Sequence, residues 1–159
     1  METKSHPNMV RLFKKCHALE SCAAEIYRHL AELHQSDPPL SRLFEKTAGE
    51  EDNHAAQFDM AQRLYLRNAA CNIDLDESRI DGILATARST LEEMRNNPPS
   101  PVEALKNAVM LEQVFSDFHV HTAVHFEDRS VQKLFRAMMA ADQEHNETLE
   151  KALVEYSRS

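Results

Sequence analysis

The sequence predicts an all-α protein, a four-helix bundle made of two helical hairpins. Three observations carry that expectation. Apolar residues recur at alternating intervals of three and four, the spacing of a helix face, and the alternation of a strand is missing. The chain is rich in Leu, Ala and Glu but has only two Gly and no Trp, which suits uninterrupted helices. Its prolines cluster between the periodic runs, where they act as punctuation. A length of 159 residues suits one domain, residues 1–159, with a sizeable core.

The elements follow in order. A first long helix is predicted over about 9–34 and is stopped by "SDPP" at 36–39. A second runs over about 40–67. The connection 68–100 repeats apolar residues at Ile80, Ile83, Leu84, Ala87, Leu91 and Met94. That is an amphipathic helix expected on the outside or end of the bundle. "NNPPSPVE" (96–103) ends it. Ser100 as N-cap, Pro101 at the first helical position and Glu103 form a capping box that starts a third long helix, to about 126. "EDRS" (127–130) turns into a fourth, over about 131–156. The plan is hairpin 9–67, crossover 68–100 and hairpin 101–157, a known bundle connectivity.

Composition excludes several function classes. With 26 acidic and 18 basic residues the formal charge is -8, and no basic patch tracks phosphates, so a nucleic-acid partner is not expected. Cys16, Cys22 and Cys71 make no CxxC pair and are expected to be reduced thiols of a cytosolic protein rather than metal or redox groups. The first fifteen residues contain no apolar signal-peptide core, and no run approaches the roughly 18 apolar residues of a membrane span. The expectation is a cytoplasmic protein with no membrane partner.

The two hairpins repeat each other. "LESCAAEIY" (19–27) aligns with "LEQVFSDFH" (111–119) at an offset of 92, and "LFEKTAGEEDNH" (43–54) with "LFRAMMAADQEH" (134–145) at an offset of 91. Each long helix has one seam. The first carries Phe13, Cys16, Glu20, Ala23, Tyr27 and Leu30. The second carries Phe44, Thr47, Glu51, His54, Phe58, Ala61 and Tyr65. The third carries Leu105, Ala108, Glu112, Phe115, His119, Thr122 and Phe126. The fourth carries Val131, Phe135, Met138, Asp142, His145, Leu149 and Ala152. Every seam holds an acid near its middle, and two add a His three residues later.

Glu20, Glu51, His54, Glu112, Asp142 and His145 are therefore candidate metal ligands. Four ionised carboxylates repel strongly in a low dielectric, and two divalent cations would neutralise them. Residues three apart on a helix face can reach one small volume. Carboxylate and imidazole suit iron or manganese, and the lack of thiolate argues against structural zinc. One Glu from each of two helices plus acid-x-x-His from each of the other two is the pattern of di-iron and di-manganese bundles. The spacing by itself is weak. Acids fill 26 of 159 positions, so nine His give one or two such hits by chance. The weight comes from equivalent repeat positions, core seams and a partner Glu in register. The alternative is a network of His–carboxylate pairs with no ion.

Tyr27 and His119, seven residues after Glu20 and Glu112, are candidate catalytic residues that could hydrogen-bond to ligands or to bound oxygen species; ordinary core packing is the alternative. His17 lies three before Glu20, but its counterpart is Val109. His121, His125, Glu25 and Asp117 read as surface residues, and Met138 and Met139 as packing.

At these phrases the chain resembles the rubrerythrin-like branch of the ferritin-like superfamily, over about 10–68 and 101–156. The resemblance implies a four-helix bundle with a di-iron centre. Glu20 and Glu112 would be terminal carboxylates, Glu51 and Asp142 bridging ones, and His54 and His145 the imidazole ligands. Asp142 stands where the family usually has Glu, Phe115 where rubrerythrins carry a further Glu ligand, and His119 where a Tyr is common. No rubredoxin tail with CxxC pairs follows, and no short C-terminal helix of the kind ferritin cages use, so a storage shell is not expected. The shorter Asp142 predicts two unequal metal positions, the one at His145 being weaker.

The expected function is that of a di-iron oxidoreductase with two Fe ions, or Mn in their place. Its substrate would be O2 or hydrogen peroxide, its reaction peroxide reduction or ferrous-iron oxidation, and its electrons would come from an external donor; a homodimer is compatible with this. The rival expectation is a metal-free helical module that binds another protein.

Overall fold

The computed structural model describes residues 6–67, 77–123 and 129–159. It contains five helices: α1 (His6–Leu33), α2 (Pro38–Arg67), α3 (Glu77–Asn96), α4 (Pro101–Ala123) and α5 (Arg129–Ser157). No strand occurs among the described residues. α1 packs along α2 and α4 along α5, giving two hairpins, and α3 packs mainly on α1.

Local chemistry sets the boundaries. α2 begins two residues earlier than its predicted start because Asp37 caps it, its Oδ1 accepting from the Leu40 N–H at 3.2 Å. Pro38 and Pro39 then occupy first-turn positions, where an N–H is not needed. The predicted capping box of α4 is present: Glu103 N–H donates to Ser100 Oγ at 3.2 Å and Ser100 N–H to Glu103 Oε2 at 3.0 Å. At the end of α1 the Ser41 hydroxyl donates to the Ala31 carbonyl at 2.8 Å. The predicted end of the third long helix, with Phe126, and the first part of the crossover, with Cys71, lie outside the described residues, as does the side chain of Tyr65.

The four seams meet inside the bundle. Phe13, Tyr27, Phe44, Phe58, Phe115 and Phe135 are fully buried, and each contributes roughly 1.5–3 kcal/mol through removal from water. Phe58 of α2 and Phe135 of α5 meet across the two hairpins in a tilted arrangement, with ring centroids 5.4 Å apart. α3 buries Ile80, Leu84, Ala87, Leu91 and Met94. It is also clamped to α1 by Lys15, which reaches Glu77 and Asp81 at 2.8 Å each, and by Arg11, 3.1 Å from Glu77. Such surface pairs contribute about 0–1 kcal/mol each, so apolar burial holds α3 in place. The Tyr156 hydroxyl of α5 donates to Asp37 at 2.6 Å, tying the end of one hairpin to the turn of the other.

Candidate metal centre

All six candidate ligands are buried, and so are Tyr27 and His119. The helical period puts each on its seam, and packing the two hairpins face to face brings the eight side chains together. Glu51 stands at the centre. Its Oε2 lies 3.4 Å from His54 Nδ1, and its Oε1 lies 3.2 Å from His145 Nδ1. Glu20 Oε2 is 3.8 Å from His54 Nδ1, and Glu112 Oε2 is 3.5 Å from His145 Nδ1. The two imidazole rings stack with centroids 5.9 Å apart.

Two groups of donor atoms result, each within 4.8 Å of one another: Glu51, Glu112, Asp142 and His145, and Glu20, Glu51 and His54. Glu51 belongs to both and Asp142 to one. The His145 group has four members and the His54 group three. His119 joins the cluster at Asp142 and Glu20. Its Nδ1 lies 2.5 Å from Asp142 Oδ2, while its Nε2 lies 3.0 Å from Glu20 Oε1. Tyr27, the counterpart of His119 in the repeat, has one polar atom, and it donates to Glu112 Oε1 at 2.5 Å.

Charge is balanced internally by protons. Burial pushes the Glu20 carboxyl up, but His119 and His54 overcome it and hold it at about 2. Burial lowers the imidazoles, yet the surrounding acids prevail. His54 lies at about 10 beside Glu20 and Glu51, His119 at about 10 between Asp142 and Glu20, and His145 at about 11 beside Glu112 and Glu51. Burial raises Glu51, Glu112 and Asp142 above the usual carboxylate range. Burial and the charges of Glu112 and Glu51 push the Tyr27 hydroxyl well up, so it remains a proton donor.

These contacts leave donor atoms unsatisfied. Both oxygens of Glu20 and of Glu51, Glu112 Oε2, Asp142 Oδ1, Nδ1 of His54 and of His145, and Nε2 of His119 are buried without a hydrogen bond of good geometry. Buried polar atoms are nearly always satisfied. Nine such atoms are orphaned, and all six residues of the two donor groups contribute to them; a set of carboxylate oxygens and imidazole nitrogens fits ion coordination.

Glu50 escaped the sequence reading. Its carboxylate meets the outer ring nitrogen of His145, Nε2, while Nδ1 faces the cluster. A carboxylate behind a ligating His fixes ring orientation and tautomer. Glu50 lies one position off the seam, so periodicity carried no signal for it. The residues expected to lie elsewhere do so. His17 sits beside Asp59, at 3.1 Å. Glu25, Asp117 and His121 are exposed, Met138 is packed in the core, and His125 lies outside the described residues. Cys16 and Cys22 are buried free thiols. Among the described residues no helix is long and apolar enough to cross a membrane.

Comparison with family models, with curated proteins and with solved structures finds no match to this chain.

Proposed function

We propose that the buried cluster holds two iron or manganese ions, and that the chain is a ferritin-like bundle of the rubrerythrin-like type acting as an oxidoreductase. The observation that carries this is the pair of donor groups that share Glu51 and in which every residue has a buried atom without a hydrogen-bond partner. When bound, the metal pair would supply the redox chemistry toward dioxygen or peroxide. Glu20, Glu51 and His54 would hold one ion and Glu51, Glu112, Asp142 and His145 the other, with His54 and His145 offering Nδ1. Tyr27 keeps its proton at Oη and holds it against Glu112. Phe58, Phe118 and Phe135 surround His119 and exclude water from that side. The net reaction is peroxide reduction or ferrous-iron oxidation, with electrons from an external donor.

One observation favours the rival, a metal-free bundle whose role is to bind another protein: three protonatable imidazoles already face the four acids. Activity separates the two. Iron-loaded wild-type protein should consume hydrogen peroxide with an artificial reductant, or oxidise added ferrous ion, and Glu51→Ala/His54→Ala should abolish both. Equal rates in the wild type and the double variant would assign the reaction elsewhere.

A further inference from the structure

Two residues on the facing seams of α4 and α5 depart from the internal repeat of polar groups, and they touch each other. His119 stands where the repeat has Tyr27, and Asp142 where it has Glu51. His119 Nδ1 contacts Asp142 Oδ2 at 2.5 Å, and the other ring nitrogen faces Glu20 Oε1 at 3.0 Å. The ring is fully buried and boxed by Phe58, Phe118 and Phe135, with centroids 6.2, 5.7 and 6.0 Å away. It therefore cannot swing aside without displacing core aromatics. A tyrosine has one polar atom and could not span both acids. A glutamate at 142 would reach farther than the aspartate, which belongs to the His145 group alone.

We propose that His119 and Asp142 are a matched pair that keeps the second acid from bridging, so that the position formed by Glu20, Glu51 and His54 is the one that accepts a small exogenous ligand. The ligand class is a compact diatomic or triatomic oxidant or anion. This rests on the metal reading above, and it adds which of the two positions stays open. His119 is a positioning residue here: it acts through Asp142. The His145 position, with four protein donors, is the more nearly closed of the two.

The test compares wild type, His119→Tyr, Asp142→Glu and the double variant, which restores the repeat. Thermal melting without metal reads the pairing itself. Each single variant should lower the melting temperature, and the double variant should lose less than the sum of the two. Strict additivity would overturn the matched pair. Azide binding to the protein loaded with Fe(II), followed by its charge-transfer band after oxidation, reads the open position. Wild type should bind one azide per metal pair, and the double variant should bind it about tenfold or more weakly while still taking two metals, the size of effect that moving one partner has on a metal site. Unchanged azide binding with two metals present overturns the open position alone. A wild-type protein that takes up no metal overturns the proposed function and the open position together, while the melting cycle still decides the pairing. His119→Gln serves if the tyrosine variants do not fold: one carboxamide cannot hold both acids, so azide affinity should fall in the same direction, and wild-type affinity there overturns the proposal.

Discussion

The two hairpins of this bundle are diverged copies, and three of the positions at which they differ lie at the cluster. α1 and α2 contribute Tyr27, Glu50 and Glu51; the equivalent places in α4 and α5 hold His119, Ala141 and Asp142. The shared residues build the common part: a capping Glu, an acid and a His three residues on, and apolar seams that bury them. The differing residues decide where each donor points. Glu51 reaches both donor groups and Asp142 one. His145 has Glu50 behind its outer nitrogen, while Ala141 has no carboxylate to offer His54. Duplication thus fixes the number of donors, and single departures from it make two unequal positions from one plan.

The largest expected effect comes from the residue the halves share. Glu51→Ala should reduce metal content from two ions per chain to none, whereas Glu20→Ala should leave the ion held by Glu112, Asp142 and His145. Elemental analysis of purified variants reads this directly, and equal losses from the two substitutions would erase the distinction between a shared and a terminal acid.

The next effect is on stability. An ion that binds only the folded chain stabilises it by roughly 2.7 kcal/mol at a hundredfold excess over its dissociation constant. For a domain of this size that is about 5–10 °C in melting temperature per site. Scanning calorimetry under anaerobic Fe(II) or Mn(II) should show the rise in wild type and a much smaller one in Glu51→Ala.

A smaller effect sharpens the contrast between the two His. Glu50→Ala should weaken the His145 position by about 10–100-fold, the usual consequence of losing the carboxylate behind a ligating ring. Ala141→Glu places the same group opposite His54 and should tighten that position instead. Stepwise Mn(II) titration by calorimetry resolves the two. If both substitutions act on the same step, the repeat does not relate the two rings as described.

The mildest effect is that of pH. His54, His119 and His145 are held at about 10, 10 and 11 by the acids around them, above the ordinary imidazole value of roughly 6.5. A raised folded value means stability that is fully present below about pH 6.5 and lost as pH rises through about 10. The protein without metal should therefore melt at progressively lower temperature between pH 7 and 10. Metal displaces those protons, so the loaded protein should show a flatter profile, and metal uptake near neutral pH should release protons to an indicator dye. A metal-free profile that is flat or rises over this range would contradict the charge balance of the cluster.

Much of the architecture was legible in the sequence because periodicity and punctuation are local. The seams through Glu20, Glu51, Glu112 and Asp142 named the buried faces, and Ser100, Pro101 and Glu103 marked the start of α4. The early start of α2 was missed because two prolines read as a break, although they sit where a capped first turn accepts them. Within the cluster, period shows which face a residue shares but not which neighbour its side chain selects. So the gathering of Tyr27 and His119 with the acids was readable. The capture of Asp142 by His119 was not, nor was the reach of Glu50 across to His145, since both depend on side-chain direction between helices far apart in sequence.

The proposed cluster binds two ions around one shared carboxylate, Glu51. Anaerobic titration of the wild-type protein with Fe(II), with bound metal counted after removal of free ion, measures this. Two ions per chain should bind, in two steps of unequal affinity. Saturation at zero, or a single loosely held ion that survives Glu51→Ala, would contradict it.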